Sequence, residues 1–439
     1  MTDFFAKDEI EAIARETSFV QRCFAKIDGL TFLNTLMFTG FNQNELSLND
    51  LSCQLRDKYK IEITKQGIDQ RFTVRSVEFM KVVLERLLTK IISQQPVTDS
   101  LSTFTSVRIK DSTSFQLPED MVDKYPGSGG SGSKATIRIQ FEFDYKTGKV
   151  YDLSLHPFNN HDQTNAKDTI ETINKGDLII RDLGYINLIV LRHIAKEAFY
   201  LNRLNSAYAY ELKNGQFVLL DFVKVKAYLD KYNLNCIEKE VYLGEKKEFK
   251  TRMIIERMPE KEVTERLRKA AKEARNKKRE LTKDYKSRAA LNIFITNVDS
   301  QIVPNDQVRT LYRLRWQVEI IFKVWKSVGK IHGIKEMKTP RFETLLYAKL
   351  IQIMMNWAML WEIGKVLWLT EKKIISPIKF FKTLKDRLYS LWLAFTSGVN
   401  KVASFITELY EMSARNHRLE KKKKQLSSIE ILLTFIIQS

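Results

Sequence analysis

The sequence predicts a mixed α/β protein flanked by helical N- and C-terminal regions. Two observations carry this. Apolar and polar residues alternate with the period of a strand between Val107 and His156, and short apolar runs then alternate with segments of helical period. A third sets the scale: 439 residues exceed what one hydrophobic core usually organises, so two to four domains are expected.

Residues 1 to about 95 read as helices throughout. Ser47 precedes LNDLSCQLRDKY and Thr64 precedes KQGIDQRF, each a good N-cap opening a short helical run, which is the layout of a helix-turn-helix. Its second segment projects Lys65, Gln66, Asp69, Gln70 and Arg71, side chains suited to base edges and phosphates. An ordinary helical hairpin with a polar exposed face has the same pattern, and both readings stay open.

From Val107, SVRIKDSTSFQL reads as a strand, and TIRIQFEFDY and KVYDLSLH form a hairpin around Lys146, Thr147 and Gly148. The intervening GSGGSGSK lacks the phosphate-loop order of Gly, Lys, then Ser or Thr, and reads as a flexible loop. HDQTNAKDTIETINKG reads as a helix ending at Gly176, a suitable C-cap. DLIIRD is a short strand ending at Asp182, NLIVLRHIAKEAF a helix and FYLNRLN the next strand. Strands and helices interleaved in this way make an α/β core.

Residues 206–290 break the rhythm with short strands (FVLLD, IEKEVYL, KTRMIIERM) and a charged helix from Glu260 to Lys286. Thirteen Lys or Arg lie between Arg257 and Arg288, either a solvated face laced with ion pairs or a basic strip along a polyanion. The core resumes with LNIFITNV and a long helix from about Asp306 to Val328, so an insertion within the α/β core is the simplest account. Beyond His332 the chain is helical and aromatic, with a basic run, RLEKKKK, near its end.

The formal charge of +19 favours a polyanionic partner, nucleic acid first and an anionic membrane second. Cys23, Cys53 and Cys236 lie far apart and in no CxxC pair, and the five histidines show no metal-site spacing, so a reducing cytosol is expected. The N-terminus has no apolar signal core. The stretch from Leu345 to Leu369 is interrupted by Lys349, Gln352, Asn356 and Glu362 and reads as a buried helix rather than a membrane span. Trp357, Trp361 and Trp368 recur at helical intervals and read as core.

The chemistry-bearing segment is YRLRWQVEIIFKVWKS. On a helix at 100° per residue, Tyr312, Arg315, Glu319 and Lys326 fall within an arc of about 60°, with Leu314, Val318, Ile321, Val324, Trp325 and Val328 opposite. Taken alone, that is a surface stripe with an ordinary i,i+4 ion pair. The spacing Y-(2)-R-(3)-E-(6)-K, however, resembles the signature of transposases of the insertion-sequence-4 family. IKDSTSFQLP resembles that family's first-aspartate block and points to Asp111; IIRDLGY resembles the second and points to Asp182. ITNV resembles the strand before the glutamate helix. The three acids are separated by 71 and 137 residues, the second gap long enough for the insertion.

The resemblance implies a ribonuclease-H-like catalytic core interrupted by a β-rich insertion, with Asp111, Asp182 and Glu319 holding two Mg²⁺ ions, for which Mn²⁺ can substitute. It implies that Arg315 and Lys326 grip DNA phosphates and that Tyr312 hydrogen-bonds to one near the cut end. The reaction is then attack of water at an element end, freeing a 3′-hydroxyl that is directed at another phosphodiester. Better-studied relatives place a stacking tryptophan before the last core strand; Asn292 stands at that position here, with Phe294 or Tyr285 as substitutes. The expected organisation is a DNA-binding domain at 1–95, core segments at 96–205 and 291–338, the insertion at 206–290, and a helical C-terminal region at 339–439 serving a homodimer on double-stranded DNA. A nuclease of the same fold without strand transfer, or a domesticated DNA-binding relative, is the alternative.

Overall fold

The computed structural model describes residues 6–21, 26–38, 47–90, 103–129, 134–204, 209–420 and 430–431. Cys23, residues 130–133 of the GSGGSGSK loop, lysines 421–424 and the sequence-derived boundaries at 95/96 and 205/206 lie outside the described residues.

In chain order, α1 (Lys7–Glu16), α2 (Gly29–Met37), α3 (Leu48–Tyr59), α4 (Lys65–Asp69) and α5 (Val74–Lys90) precede the strands β1 (Val107–Leu117), β2 (Ala135–Asp144) and β3 (Val150–Pro157). The one-turn helix α6 (Asp162–Asn165) leads to β4 (Leu178–Arg181), α7 (Leu188–Glu197) and β5 (Phe199–Arg203). There follow β6 (Ala209–Lys213), β7 (Gln216–Leu219), α8 (Phe222–Lys231), β8 (Cys236–Leu243), β9 (Phe249–Arg257), α9 (Glu260–Asn276), α10 (Lys283–Ala289) and β10 (Leu291–Thr296). Helices α11 (Val308–Tyr312), α12 (Trp316–Ser327), α13 (Thr339–Glu371), α14 (Pro377–Asp386), α15 (Leu388–Ser397) and α16 (Val399–Asn416) complete the chain.

The chain divides into two compact units, one of Met1–Thr98, Ser112–Asn159 and Val318–Gln425, the other of Asp99–Asp111, Asn160–Gln317 and Leu426–Ser439. β1 gives its residues up to Asp111 to the second unit and those from Ser112 to the first.

In the second unit the strands run in the order β1-β4-β5-β10-β9-β8-β6-β7. β1, β4 and β5 are parallel, with Ile109 opposite Ile180 and Ile180 opposite Leu201. Runs such as LIIR and LNIFIT are buried along their whole length, as strands covered on both faces must be. The strands between residues 209 and 257 continue this same sheet, β9 pairing with β10 from Leu291↔Arg257 to Thr296↔Arg252. Ile179, Tyr200, Met253, Ile293 and Ile295 share one core.

The expected helix over HDQTNAKDTIETINKG forms only as α6 and a 3-10 turn at Ile170–Thr172. Its polar side chains bond locally instead: Asn165 Nδ2 donates to Asp168 at 2.6 Å and Thr172 Oγ1 to the Thr169 carbonyl at 2.8 Å, contacts that compete with helix propagation. Gly176 is not a helix cap but a turn glycine at φ +80°, where a Cβ would lie 2.6 Å from Thr105 Oγ1. The charged helix expected from Glu260 to Lys286 is two helices, α9 and α10. The chain leaves α9 through Lys278 at φ +50° and restarts where Thr282 caps the Tyr285 amide.

In the first unit β3, β2 and β1 are neighbours in that order, β2 and β3 forming the expected hairpin. One face of β2 packs rings against the helices: Phe141 lies 5.0 Å from Trp325 and Phe143 5.5 Å from Trp357. Trp357 also donates from Nε1 to the Gly148 carbonyl at 3.3 Å, fastening the hairpin turn to α13. The 33-residue α13 is buried through most of its length and packs on α5, where Ser76 and Thr344 share a buried hydrogen bond of 2.8 Å. Glu343 anchors its first turns by accepting from Lys124 at 2.7 Å and from the Tyr125 hydroxyl. Among the described residues no helix is long and apolar enough to cross a membrane.

Candidate active site

The site is built first by strand register. Lys110 of β1 lies opposite Arg181 of β4 in the last parallel pair, so the next residues, Asp111 within β1 and Asp182 just past the end of β4, come side by side on adjacent strands roughly 5 Å apart. The opposite ends are pinned by Asp177, whose carboxylate accepts from Ser106 Oγ at 2.6 Å and pairs with buried Arg108 at 3.6 Å.

Alternation along a strand sends the residue before each aspartate to the other face. Lys110 and Arg181 are there, both buried, together with Arg108. They serve as hydrogen-bond donors to the irregular segment between α6 and β4. Arg108 reaches the Thr172 carbonyl at 2.7 Å, Arg181 the Ala166 carbonyl at 3.1 Å, and Lys110 the hydroxyl of Thr169 at 3.3 Å. This layer was missed in the sequence; its signal is a cation immediately before each aspartate in an otherwise apolar strand.

The start of the helical segment that follows β10, residues 308–315, reaches these two aspartates within the second unit. The segment is not one α-helix: α11 ends at Tyr312, residues Arg313–Arg315 form a 3-10 turn, and α12 begins at Trp316. Nor do Tyr312 and Arg315 stand out in solvent opposite a packed face, since both are buried. Arg315 Nη1 donates to Asp111 Oδ2 at 2.8 Å, and the Tyr312 hydroxyl donates to Asp182 Oδ1 at 2.9 Å. Burial, and then the Asp182 charge, push the Tyr312 phenol far above its ordinary range, so it remains a donor. Its ring lies 5.1 Å from that of Phe294.

In the first unit, Glu319 is exposed on α12, and Lys326 donates from Nζ to the Ser114 carbonyl at 3.2 Å. Burial lowers the Lys326 ammonium from its ordinary value. Trp316, between Arg315 and the body of α12, is 59% exposed.

Asn292 is the second residue of β10, buried and opposite Glu256. Of its two aromatic substitutes, Phe294 is buried against Tyr312, whereas Tyr285 on α10 is 38% exposed. Beside it, Arg266 is lowered from its ordinary value by burial and then by the charge of Arg203.

The helix-turn-helix residues lie in the first unit. Ser47 and Asp50 make a reciprocal capping box on α3, and Thr64 caps α4. The second helix is short: Lys65 and Gln66 are exposed on α4, whereas Gln70 and Arg71 lie beyond its end and Asp69 pairs with Lys338 at 3.1 Å.

The donor set suits a hard divalent cation. Two carboxylates stand on adjacent strands where the β1–β4 pairing ends, and a guanidinium already supplies Asp111 with positive charge. Among the described residues no three His, Cys, Asp or Glu side chains form a ready-made metal cage.

A family model described as Transposase DDE domain matches residues 102–355. The chain is 30% identical to the transposase for insertion sequence element IS231F of Bacillus thuringiensis subsp. israelensis, over 95% of this chain and 92% of that protein. It is 29% identical to the transposase for insertion sequence element IS1151 of Clostridium perfringens, over 99% of this chain and 95% of that protein. Among solved structures it resembles a piggyBac transposase, seen by cryo-EM in a synaptic complex with hairpin DNA, at a TM-score of 0.51 and 12% identity, over 98% of this chain and 87% of that one. That last likeness is one of fold.

Proposed function

The chain belongs to the DDE transposase family, and we propose that it moves an insertion sequence by binding the element's terminal inverted repeats, cutting the DNA strand at each end and joining the ends to target DNA. The observation that supports the site assignment is that Asp111 and Asp182 follow the last pair of the β1–β4 register, with two residues of the signature, Arg315 and Tyr312, bonded to them. The full spacing through Glu319 and Lys326 supports the insertion-sequence-4 branch. The order β3-β2-β1 and β1-β4-β5 supports a ribonuclease-H-like core. Residues 206–290 are then the insertion, residues 1–95 the repeat-recognition domain with Lys65, Gln66, Gln70 and Arg71 toward DNA, and 339–439 the region serving a homodimer.

Asp111, Asp182 and Glu319 are the residues that would hold two Mg²⁺ ions, or Mn²⁺ in their place. When bound, these ions supply an activated nucleophile and stabilise the leaving oxygen. Water attacks the phosphodiester at the element end and the 3′-oxygen leaves as a hydroxyl. That hydroxyl then attacks a phosphodiester of the target, one bond forming as another breaks. Arg315 and Lys326 bind phosphate oxygens, the guanidinium bidentately and the ammonium as a point charge. Tyr312, kept protonated by its burial, donates its one O–H to Asp182 in the DNA-free protein and would turn it to a phosphate oxygen near the cut once Asp182 serves a metal.

The test is a reaction of the full chain with a donor duplex carrying its terminal repeats and Mg²⁺. Cut ends and joined products are expected. Cuts without joining identify a nuclease, and binding without cuts a domesticated DNA-binding protein.

A further inference from the structure

The outer face of α9 carries charge for which the site has no use. This helix buries none of its residues. At 100° per residue, Val263, Leu267, Ala270 and Ala274 share one half-buried face, and Lys261, Arg268, Lys272 and Arg275 share the opposite, exposed one. Of the helix's acids, Glu273 pairs with Lys277 at 2.5 Å and Glu262 with Arg309 at 3.5 Å, both off this face, while Glu260 sits in the first turn, favoured by the helix dipole. Glu265 lies on the outer face, where it pairs with Lys269 at 2.8 Å and also feels the charges of Arg268 and Lys261, so the cations outnumber it there. Among the described residues no acid lies within ion-pair distance of Lys261, Arg268, Lys272 or Arg275.

The ridge is anchored at the working end of its sheet. Arg266, toward the inner face of α9, donates to the carbonyls of Ala289 at 3.1 Å and Leu291 at 3.4 Å, where β10 begins. β10 runs antiparallel to β5, Phe294 opposite Arg203, and β5 is parallel to β4, Asn202 opposite Arg181. The start of β10 therefore lies at the same end of the sheet as Asp182.

We propose that this ridge is a track for the backbone of duplex DNA leading away from the cleavage point, an assignment that rests on the transposase reading of the site. From Lys261 to Arg275 the charges span roughly 21 Å at 1.5 Å per residue, about six base-pair steps. α9 carries no aromatic ring on which an unpaired base stacks, which separates a duplex from a single strand. Its outer face carries no apolar residue to enter a lipid surface.

The experiment measures duplex binding by fluorescence anisotropy as a function of salt, using a duplex longer than the terminal repeat. It compares wild type, the triple variant Arg268→Gln, Lys272→Gln, Arg275→Gln, and a control of equal charge at exposed lysines outside the regions assigned to DNA or to dimerisation, Lys167→Gln, Lys175→Gln, Lys196→Gln. Each phosphate contact contributes about 0.9 to the slope of log affinity against log salt, so the α9 variant is expected to lose about 2 to 3 from that slope and the control less than about 1. An unchanged slope in the α9 variant, or an equal loss in the control, overturns the track. Absence of duplex binding by wild type overturns the transposase reading itself. Matching thermal midpoints show that the comparison is between folded proteins.

Discussion

Arg315 holds Asp111 through a 2.8 Å ion pair in which the side chains are only 9% and 19% exposed. The same guanidinium that the transposase reading assigns to a DNA phosphate thus rests on a carboxylate assigned to metal. Arriving phosphate and metal would take one partner each.

Arg315→Ala is therefore expected to raise the Mn²⁺ affinity of the DNA-free protein, read from the free-ion EPR signal, because a competing cation has left Asp111. Strand cleavage should fall on the order of a hundredfold, the usual loss when a charge clamp on the reacting group is removed. Unchanged Mn²⁺ affinity would show that Asp111 is not shared between the two cations.

Tyr312→Phe removes the 2.9 Å hydrogen bond to Asp182 and should cost about 1.5–3 kcal/mol, as bonds to a charged group do. Because burial and Asp182 raise the phenol, its ionisation should leave no limb in the pH–rate profile near the ordinary tyrosine value of about 10. A basic limb there that disappears in the Phe variant would contradict this.

Lys349 gives a stability test in the first unit. Burial, and then the charge of Lys330, lower its ammonium to about 7, against an ordinary 10.5. Between those values the unfolded chain holds a proton that the folded chain lacks, so stability should rise as pH increases from about 7 to 10.5, the cost being full below about 7. Lys349→Met should abolish that rise and stabilise the protein near pH 6 by on the order of 4 kcal/mol, measured by urea unfolding across pH. A rise that persists in the Met variant assigns it to other groups.

Much of this site was legible because its signals are local. Strand alternation located β1, β2 and β3, a short apolar run ended at Asp182, and the spacing from Tyr312 to Lys326 singled out the helix. What stayed hidden depends on tertiary context. HDQTNAKDTIETINKG has helical composition, yet Arg108, Lys110 and Arg181 bind its backbone carbonyls and side chains and hold it irregular. A helical wheel gave Arg315 and Tyr312 a common face but not the aspartates that bury them, because those arrive from 130 and 204 residues away.

Asn292→Trp tests the missing stacking residue. Asn292 is buried within β10, so the indole should lower the thermal midpoint rather than restore a stacking platform. Tyr285→Ala, at a 38% exposed ring, should leave the midpoint unchanged and reduce any hairpin product seen on denaturing gels. The converse result, hairpins enhanced by the tryptophan in a fully stable protein, would contradict this placement.

The most direct test of the account is single-turnover cleavage of a terminal-repeat duplex by Glu319→Gln in saturating Mn²⁺. Glu319 is exposed on α12, so the amide should leave folding and DNA binding within about twofold of wild type. It cannot lend its charge to a metal, and cleavage should fall by roughly a thousandfold or more. Cleavage at the wild-type rate by a folded, DNA-bound Glu319→Gln protein would contradict the assignment of Asp111, Asp182 and Glu319 as the catalytic set.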